Sequence, residues 1–357
     1  MEKTIIKEIN YFFKDKTILV TGGIGSVGES IVRALLALSP AKIRVLDNRE
    51  TELVYARKKF SRQDNVRFFY GDVREKERLL KATQDVDIIY HAAALKHVLP
   101  SEYDPYEVIK TNVHGTQNVI EAAIANNVGC VILISTDKAV NPCSVMGTTK
   151  LLAERLIASM AHHKGKSSTK FAAVRFGNVL GSRGSVLEIW DRLLQEGKKI
   201  SITDQQMTRF FMSTDDCVQL IFQATLLANE GETFIFKMNS VNMGDLADAY
   251  LSHHGQSPDN YEIIGKSPWE KDHEKLFFEE EREHMLESQD FFIRLPLVDK
   301  FGSLVDKSSS YYQDFLKKGF MPLKQNQALF SNDPAIMLQK DEINSKLLSR
   351  SYPKGKN

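Results

Sequence analysis

Shortages in this sequence exclude more than its abundances suggest. Three cysteines in 357 residues, Cys130, Cys143 and Cys217, are too few and too scattered for a disulfide framework or a closed zinc site. They suit a reducing compartment, with all three thiols free. Neither sign of charge is in excess. Lys and Arg number 47 against 46 Asp and Glu, so no overall field draws the chain to nucleic acid or to an acidic membrane. No stretch of about 18 uncharged apolar residues occurs, and the charged opening MEKTIIKEINYFFKDK lacks the apolar core of a signal peptide. A soluble, cytoplasmic protein with no membrane insertion is expected. No internal repeat and no metal-ligand spacing is found, so no metal is expected.

What is present is an ordinary enzyme composition, 42% hydrophobic and 26% charged, arranged in a regular alternation of strand and helix patterns. That alternation predicts an α/β fold with a Rossmann-type, doubly wound parallel sheet. Residues 1–15 have the spacing of a short amphipathic helix (Ile5, Ile6, Ile9, Phe12, Phe13) covering the edge of the domain that follows. Residues 17–20 form a strand that runs straight into TGGIGSVG, residues 21–28. Here Gly23-x-Gly25-x-x-Gly28 lies between a strand and an apolar helix, the context a dinucleotide fingerprint requires. Its glycines allow a tight turn and close backbone approach, so a pyrophosphate can rest on the helix N-terminus; Thr21, Gly22, Ser26 and Val27 complete the loop.

About twenty residues on, a second strand ends in Asp47-Asn48-Arg49. A carboxylate there accepts the ribose hydroxyls of NAD and repels a 2′-phosphate, which favours NAD; Arg49 is the group that could accommodate NADP instead. A third strand leads to Asp72-Val73, placed to approach an adenine amino group, and a fourth to Ala92-Ala93-Ala94, small enough for close cofactor approach. Lys96 and His97 follow at that strand's end and are candidates for reaching the same crevice. Asn112 could orient the nearby backbone or cap a helix.

The most concentrated chemistry lies in residues 131–150, VILISTDKAVNPCSVMGTTK. A buried strand ends in Ser135-Thr136-Asp137-Lys138, and a helix then carries Met146 and Lys150. Core packing does not ask for a carboxylate and two lysines at a strand tip, whereas open α/β sheets meet their ligands at such tips. Further on, a strand ending near Arg175 leads to Asn178, Arg183 and Ser185 in a glycine-rich turn, a combination that suits a sugar-nucleotide diphosphate.

TGGIGSVG, HAAALKHV, TNVHGT and STDKAV...MGTTK, in this order, resemble the extended short-chain dehydrogenase/reductases. More narrowly, they are similar to the polysaccharide-biosynthesis branch of UDP-N-acetylglucosamine 4,6-dehydratases. Most of that superfamily carries a tyrosine four residues before the catalytic lysine, where this chain has Met146. A thioether neither gives nor takes a proton, so another group must replace the tyrosinate. The substitution resembles a subset that keeps Thr-Asp-Lys together with Met-x-x-x-Lys and tends to retain the C5 configuration.

The resemblance implies a UDP-N-acetylhexosamine substrate, Asp137 as acid at the C6 oxygen, Lys138 as C5 base and Lys150 on the nicotinamide ribose. It also implies Thr136 as helper at the C4 hydroxyl, and Asn178 and Arg209 at the substrate diphosphate. A homo-oligomer, dimer or higher, is expected. A 4-epimerase of the same fold and a non-catalytic NAD-binding regulatory protein stand as alternatives.

By region, the expectation is an N-terminal helix (1–15), a cofactor-binding core with the active site (16–185), and a smaller mixed α/β substrate-binding region interleaved with the last core elements (186–335). A C-terminal helix and tail (336–357) complete it. The charged run at 269–283 reads as a solvated face, 291–294 as an edge strand, 300–335 as loop, 340–348 as a last helix and 351–357 as a disordered tail.

Overall fold

A computed structural model describes residues 2–299, 301–324 and 330–345. The expected tail and the end of the last helix lie outside them. Ten strands form one sheet in the order β15-β13-β14-β10-β6-β5-β4-β1-β2-β3. Its parallel part comprises β1 (Thr17–Thr21), β2 (Lys42–Asp47), β3 (Val66–Tyr70), β4 (Ile88–His91), β5 (Cys130–Ile134), β6 (Lys170–Arg175) and, seventh counted from β3, β10 (Glu230–Phe236). Chain order reverses between β1 and β4, and that switch point opens a crevice beyond the strand ends. The alternating pattern therefore gave the fold class correctly. β7 (Asn178–Val179), β9 (Thr208–Met212) and β11 (Asn239–Asn242) form a small second sheet, while β8 (Ile200–Ile202) pairs with β12 (Tyr261–Ile263).

The helices cover the sheet by burying one stripe each. Helix Ser26–Leu36 buries Gly28, Ile31, Val32 and Leu35, the i, i+3, i+4, i+7 set that faces a core. Helix Val145–His163 buries Met146, Lys150, Ala153, Glu154, Ile157 and Ala161, so the lysine and a glutamate lie on a face otherwise lined by small and apolar groups.

The N-terminal helix, Glu2–Phe13, packs against helix Thr214–Leu227, with the Phe13 and Phe222 rings 4.8 Å apart. Two expectations need correction. β14 (Phe291–Arg294) is interior, antiparallel to β10 on one side and to β13 (Met285–Glu287) on the other, because all four of its residues are buried. Residues 300–335 hold helix Ser310–Lys317 and the edge strand β15 (Met321–Pro322); three apolar positions, Tyr311, Tyr312 and Phe315, suffice to dock that helix in an otherwise polar stretch.

Glu232, fully buried in β10, accepts hydrogen bonds from the Asn229 and Glu230 amides and from the Tyr311 hydroxyl. Burial outweighs the amides and raises its pKa to about 7, against 4.5 for an ordinary glutamate. Unfolded chains release this proton near pH 4.5 and the folded chain only near 7, so stability falls as pH rises through that window, by about 3 kcal/mol. Thermal melts from pH 4 to 8 check this. The Tm gap between the chain and Glu232→Gln should change with pH across the window, and a constant gap would contradict the assignment.

Candidate active site

At the first βα turn the left-handed backbone belongs to Gly22 (φ 64°), one residue before the fingerprint's first glycine. A Cβ on Gly22 would lie 2.6 Å from the Ala93 backbone, and one on Gly28 would collide with the Gly22 carbonyl. The turn is thus pressed against the Ala92-Ala93-Ala94 loop, and the Ala92 amide donates to the Thr21 carbonyl. This cradle fits a dinucleotide, since only residues without side chains leave the backbone N–H groups open.

Asp47, buried at the end of β2, accepts from Arg49 through both Nε (3.1 Å) and a terminal nitrogen (3.2 Å), and from the Ile24 amide at 3.4 Å. Arg49 is folded back onto this carboxylate rather than standing apart from it. Asp72 accepts from Asn48 (3.1 Å) and Arg74; burial raises its proton affinity, but Arg74 outweighs it and keeps the carboxyl below the usual range.

Asp137, three residues past the end of β5, opens a short 3-10 turn and is wholly buried, with its amide donating to the Phe176 carbonyl. Its Oδ1 accepts from Thr136 Oγ1 (2.9 Å) and Lys138 Nζ (3.1 Å), while Oδ2 has no hydrogen-bond partner. Lys138 Nζ also donates to Asn178 Oδ1 at 3.4 Å and stands 3.8 Å from Glu274 Oε1. Burial, with the Glu274 charge adding to it, raises the proton affinity of Asp137 against the pull of Lys138 and Thr136. Burial disfavours the Lys138 charge, yet the two carboxylates outweigh it and raise its pKa too.

Helix Val145–His163 starts hard against this loop. Ser144 Oγ caps it by accepting from the Gly147 amide, Glu102 accepts from the Val145 amide, and a Cβ on Gly147 would collide with the Lys138 carbonyl. That start sets Met146 in the core and carries Lys150 one turn on, where Nζ donates to the Ile134 carbonyl at 2.6 Å. Burial lowers the Lys150 pKa to about 8 against the opposing charge of Glu154. Beside it His91 is held between Thr21 and Thr116 and, buried near Lys150, has its pKa lowered to about 3, which makes it a neutral brace.

Other candidates sit differently. Lys96 Nζ reaches the Arg183 carbonyl (2.5 Å), and a Cβ on Gly184 would lie 2.6 Å from the His97 ring; these side-chain contacts run to the 183–184 turn and not to Asp137. The Arg183 amide donates to Ser26 Oγ (2.8 Å), joining that turn to the glycine loop, and the Ser185 hydroxyl is buried without a partner. Arg209 donates to the Thr208 and Asp272 carbonyls. Asn112 caps nothing. It sits in a π-helical turn, Lys110–His114, and clamps Leu95 through both its amide and its carbonyl while donating to Thr149.

Sequence reasoning missed Glu274, buried in a run read as solvated; its alternation with buried Leu276 and part-exposed Lys275 was the available signal. It also missed the ion cluster behind the strand, where buried Arg175 donates to Glu154 (2.6 Å) and Glu281 (3.3 Å), and Ser135 donates to Glu154.

Comparison with known proteins matches this architecture. The family model described as polysaccharide biosynthesis protein covers residues 18–296. An uncharacterized membrane protein of Methanocaldococcus jannaschii is 44% identical, covering 98% of this chain and all of its own; among the described residues no helix here is long and apolar enough to cross a membrane. A UDP-N-acetylglucosamine 4,6-dehydratase (inverting) of Campylobacter jejuni is 38% identical over 91% of this chain and 97% of its own. A UDP-glucose 4-epimerase of Rickettsia rickettsii is 36% identical over 80% and 84%. Among solved structures, Pen from Bacillus thuringiensis superposes with a TM-score of 0.83 at 35% identity, covering 95% of this chain and 99% of that one. The DesIV dTDP-glucose 4,6-dehydratase of Streptomyces venezuelae, solved with NAD bound, shares the fold at TM-score 0.65 and 22% identity over 71% and 86%. The chain belongs to the polysaccharide biosynthesis protein family, in the nucleotide-sugar dehydratase and epimerase group of the extended short-chain dehydrogenase/reductases.

Proposed function

We propose that this chain is a UDP-N-acetylglucosamine 4,6-dehydratase serving surface glycan or glycoprotein synthesis. The observation that carries the reading is the Asp137–Lys138 pair. Loss of water across C5–C6 needs an acid for the departing oxygen and a base for the C5 proton, whereas inversion at C4 needs neither. NAD would be held by the turn 21–28, with Asp47, Asn48 and Arg49 at the adenosine ribose, Asp72 and Val73 by the adenine, Ala92, Ala93 and Ala94 along its length, and Lys150 at the nicotinamide ribose. Bound there, it supplies a hydride acceptor and donor that ends the cycle unchanged. Arg49, already paired to Asp47, is drawn away from a 2′-phosphate, which supports NAD over NADP.

The residues divide the proton work. Transfer of one proton along the 3.1 Å contact from Lys138 Nζ to Asp137 Oδ1 leaves an amine and a carboxylic acid, the state that elimination requires. With C4 oxidised to a ketone, Lys138 takes the acidified C5 proton and Asp137 gives its proton to the C6 oxygen, which departs as water. Lys138 then returns its proton to C5. The C4 hydroxyl proton leaves past Thr136 through water, and one proton taken up from solvent closes the cycle. Met146 plays no part in proton transfer. Asn178, Arg183, Ser185 and Arg209 would receive the UDP diphosphate, with Lys96 and His97 bracing the 183–184 turn. Exposed Leu99, Tyr103, Tyr106 and Leu152 on neighbouring helices offer an apolar surface for a second copy of the chain.

Purified protein incubated with UDP-N-acetylglucosamine and followed by proton NMR tests the reading. A new C6 methyl doublet is expected. UDP-N-acetylgalactosamine would instead mark an epimerase, and unchanged sugar beside bound NAD a binding protein. Ring couplings in the same spectrum read C5. Retention, implied by the methionine resemblance, follows if Lys138 removes and returns the proton on one face, whereas the Campylobacter relative carries inversion in its name.

A further inference from the structure

Lys138 faces two carboxylates, and a lysine in an ordinary ion pair needs one. Asp137 cannot serve both as proton donor and as permanent counter-ion, because a protonated carboxyl carries no charge with which to hold an ammonium. The second carboxylate, Glu274, is 3% exposed and arrives from a segment more than 130 residues away in sequence. Its own position is fixed. The Glu274 amide donates to Ser331 Oγ (2.9 Å), its carbonyl accepts from the Ser331 amide, and Lys271 donates to Oε2 at 3.0 Å while also reaching the Val140 carbonyl at 2.7 Å. The 271–274 segment is thereby fastened to the loop that carries Asp137 and Lys138.

Resting on the dehydratase reading, we propose that Glu274 is a positioning residue: it keeps Lys138 Nζ aimed while Asp137 is protonated, and it receives the positive charge that forms when Lys138 takes the C5 proton. The arrangement follows the general pattern of a base oriented by a third group. The charged and polar groups facing the pair are Thr136 on its own loop, Asn178 on β7, Arg209 on β9, and Lys271 and Glu274 on the covering segment. Burial works against the Glu274 charge, but Lys138, Lys271 and Arg209 keep its carboxyl below the usual range, so the anion is present at neutral pH.

Infrared pH titration reads the coupling without turnover. The protonated-carboxyl band that Asp137→Asn removes reports Asp137. In Glu274→Gln the band should vanish about one pH unit lower, a roughly tenfold loss of proton affinity, because a neighbouring negative charge is gone. In Lys271→Met it should persist to higher pH, because the Glu274 charge is then less compensated. NAD binding confirms that each variant is folded, and if Glu274→Gln is not, the Lys271→Met titration decides alone. In turnover, Glu274→Gln should lower kcat about tenfold at unchanged KM and move the acid limb of its pH profile to lower pH, since Lys138 loses its counter-ion. An Asp137 midpoint unmoved in the variants, or moved in the same direction in both, overturns the proposal. If the unsubstituted chain makes no methyl doublet, the dehydratase reading falls while the infrared titration still decides whether Glu274 is coupled to the pair.

Discussion

Asp137→Asn and Lys138→Ala should each lower the rate of methyl-doublet formation by about 10³-fold while leaving NAD affinity within a factor of about two. The loss is set by the acid–base contribution removed, typically on the order of 10²–10⁴ per group. The preserved affinity follows from position: the pair is bonded to Thr136, Asn178 and Phe176, none of which belongs to the glycine turn. Isothermal titration with NAD beside the NMR assay measures both. Parallel loss of cofactor binding and turnover would show that the two side chains only hold the strand tip together. A double variant no slower than either single one is also expected, because acid and base act in one elimination and neither works alone.

The second large effect concerns stability. Arg175 is fully buried, and its guanidinium bridges Glu154 and Glu281 while donating to the Leu276 carbonyl at 2.9 Å. Arg175→Met keeps the apolar stem but takes the ion-pair partner from buried Glu154, whereas Glu281 keeps Arg294 at 3.3 Å and Arg155 at 3.5 Å, a loss of about 3–5 kcal/mol. The thermal midpoint should fall clearly at pH 7 and recover in part at pH 5, where the stranded Glu154 carboxylate can take a proton. The double variant Arg175→Met/Glu154→Gln should regain much of the loss at pH 7, because Glu281 still holds Arg294 and no buried charge then remains unpaired. A single variant as stable as the parent would mean that water enters the cluster and screens it.

These two sites differ in how far the sequence disclosed them. Asp137, Lys138 and Lys150 stand within fourteen residues at the end of an apolar run, so local pattern placed them at a strand tip and on the following helix. The glycine turn was equally legible because its context is local. The positively turned glycine, however, is Gly22, a detail fixed by how closely the Ala93 backbone approaches. Glu274 was hidden because its burial depends on docking against residues 138–140, a tertiary fact that charge composition obscures. β14 looked like an edge for the same reason: four residues cannot reveal that β13 will pair on their far side. Helix Ser310–Lys317 was masked by its polar neighbours, and Lys96 and His97 were read as reaching the crevice of Asp137 because they follow a strand's carboxyl end, whereas their side-chain contacts lie in the 183–184 turn.

The fastening of residues 271–274 to the Lys138 loop also bears on the order in which the molecule acquires its powers. A ribosome making this chain has finished the glycine turn and both active-site lysines by residue 150, yet more than a hundred further residues must emerge before Glu274 arrives. A prematurely terminated product ending near residue 265 would lack Glu274 and also β14, the strand that covers the edge of β10, so the sheet and the aim of Lys138 are completed by the same late stretch of chain.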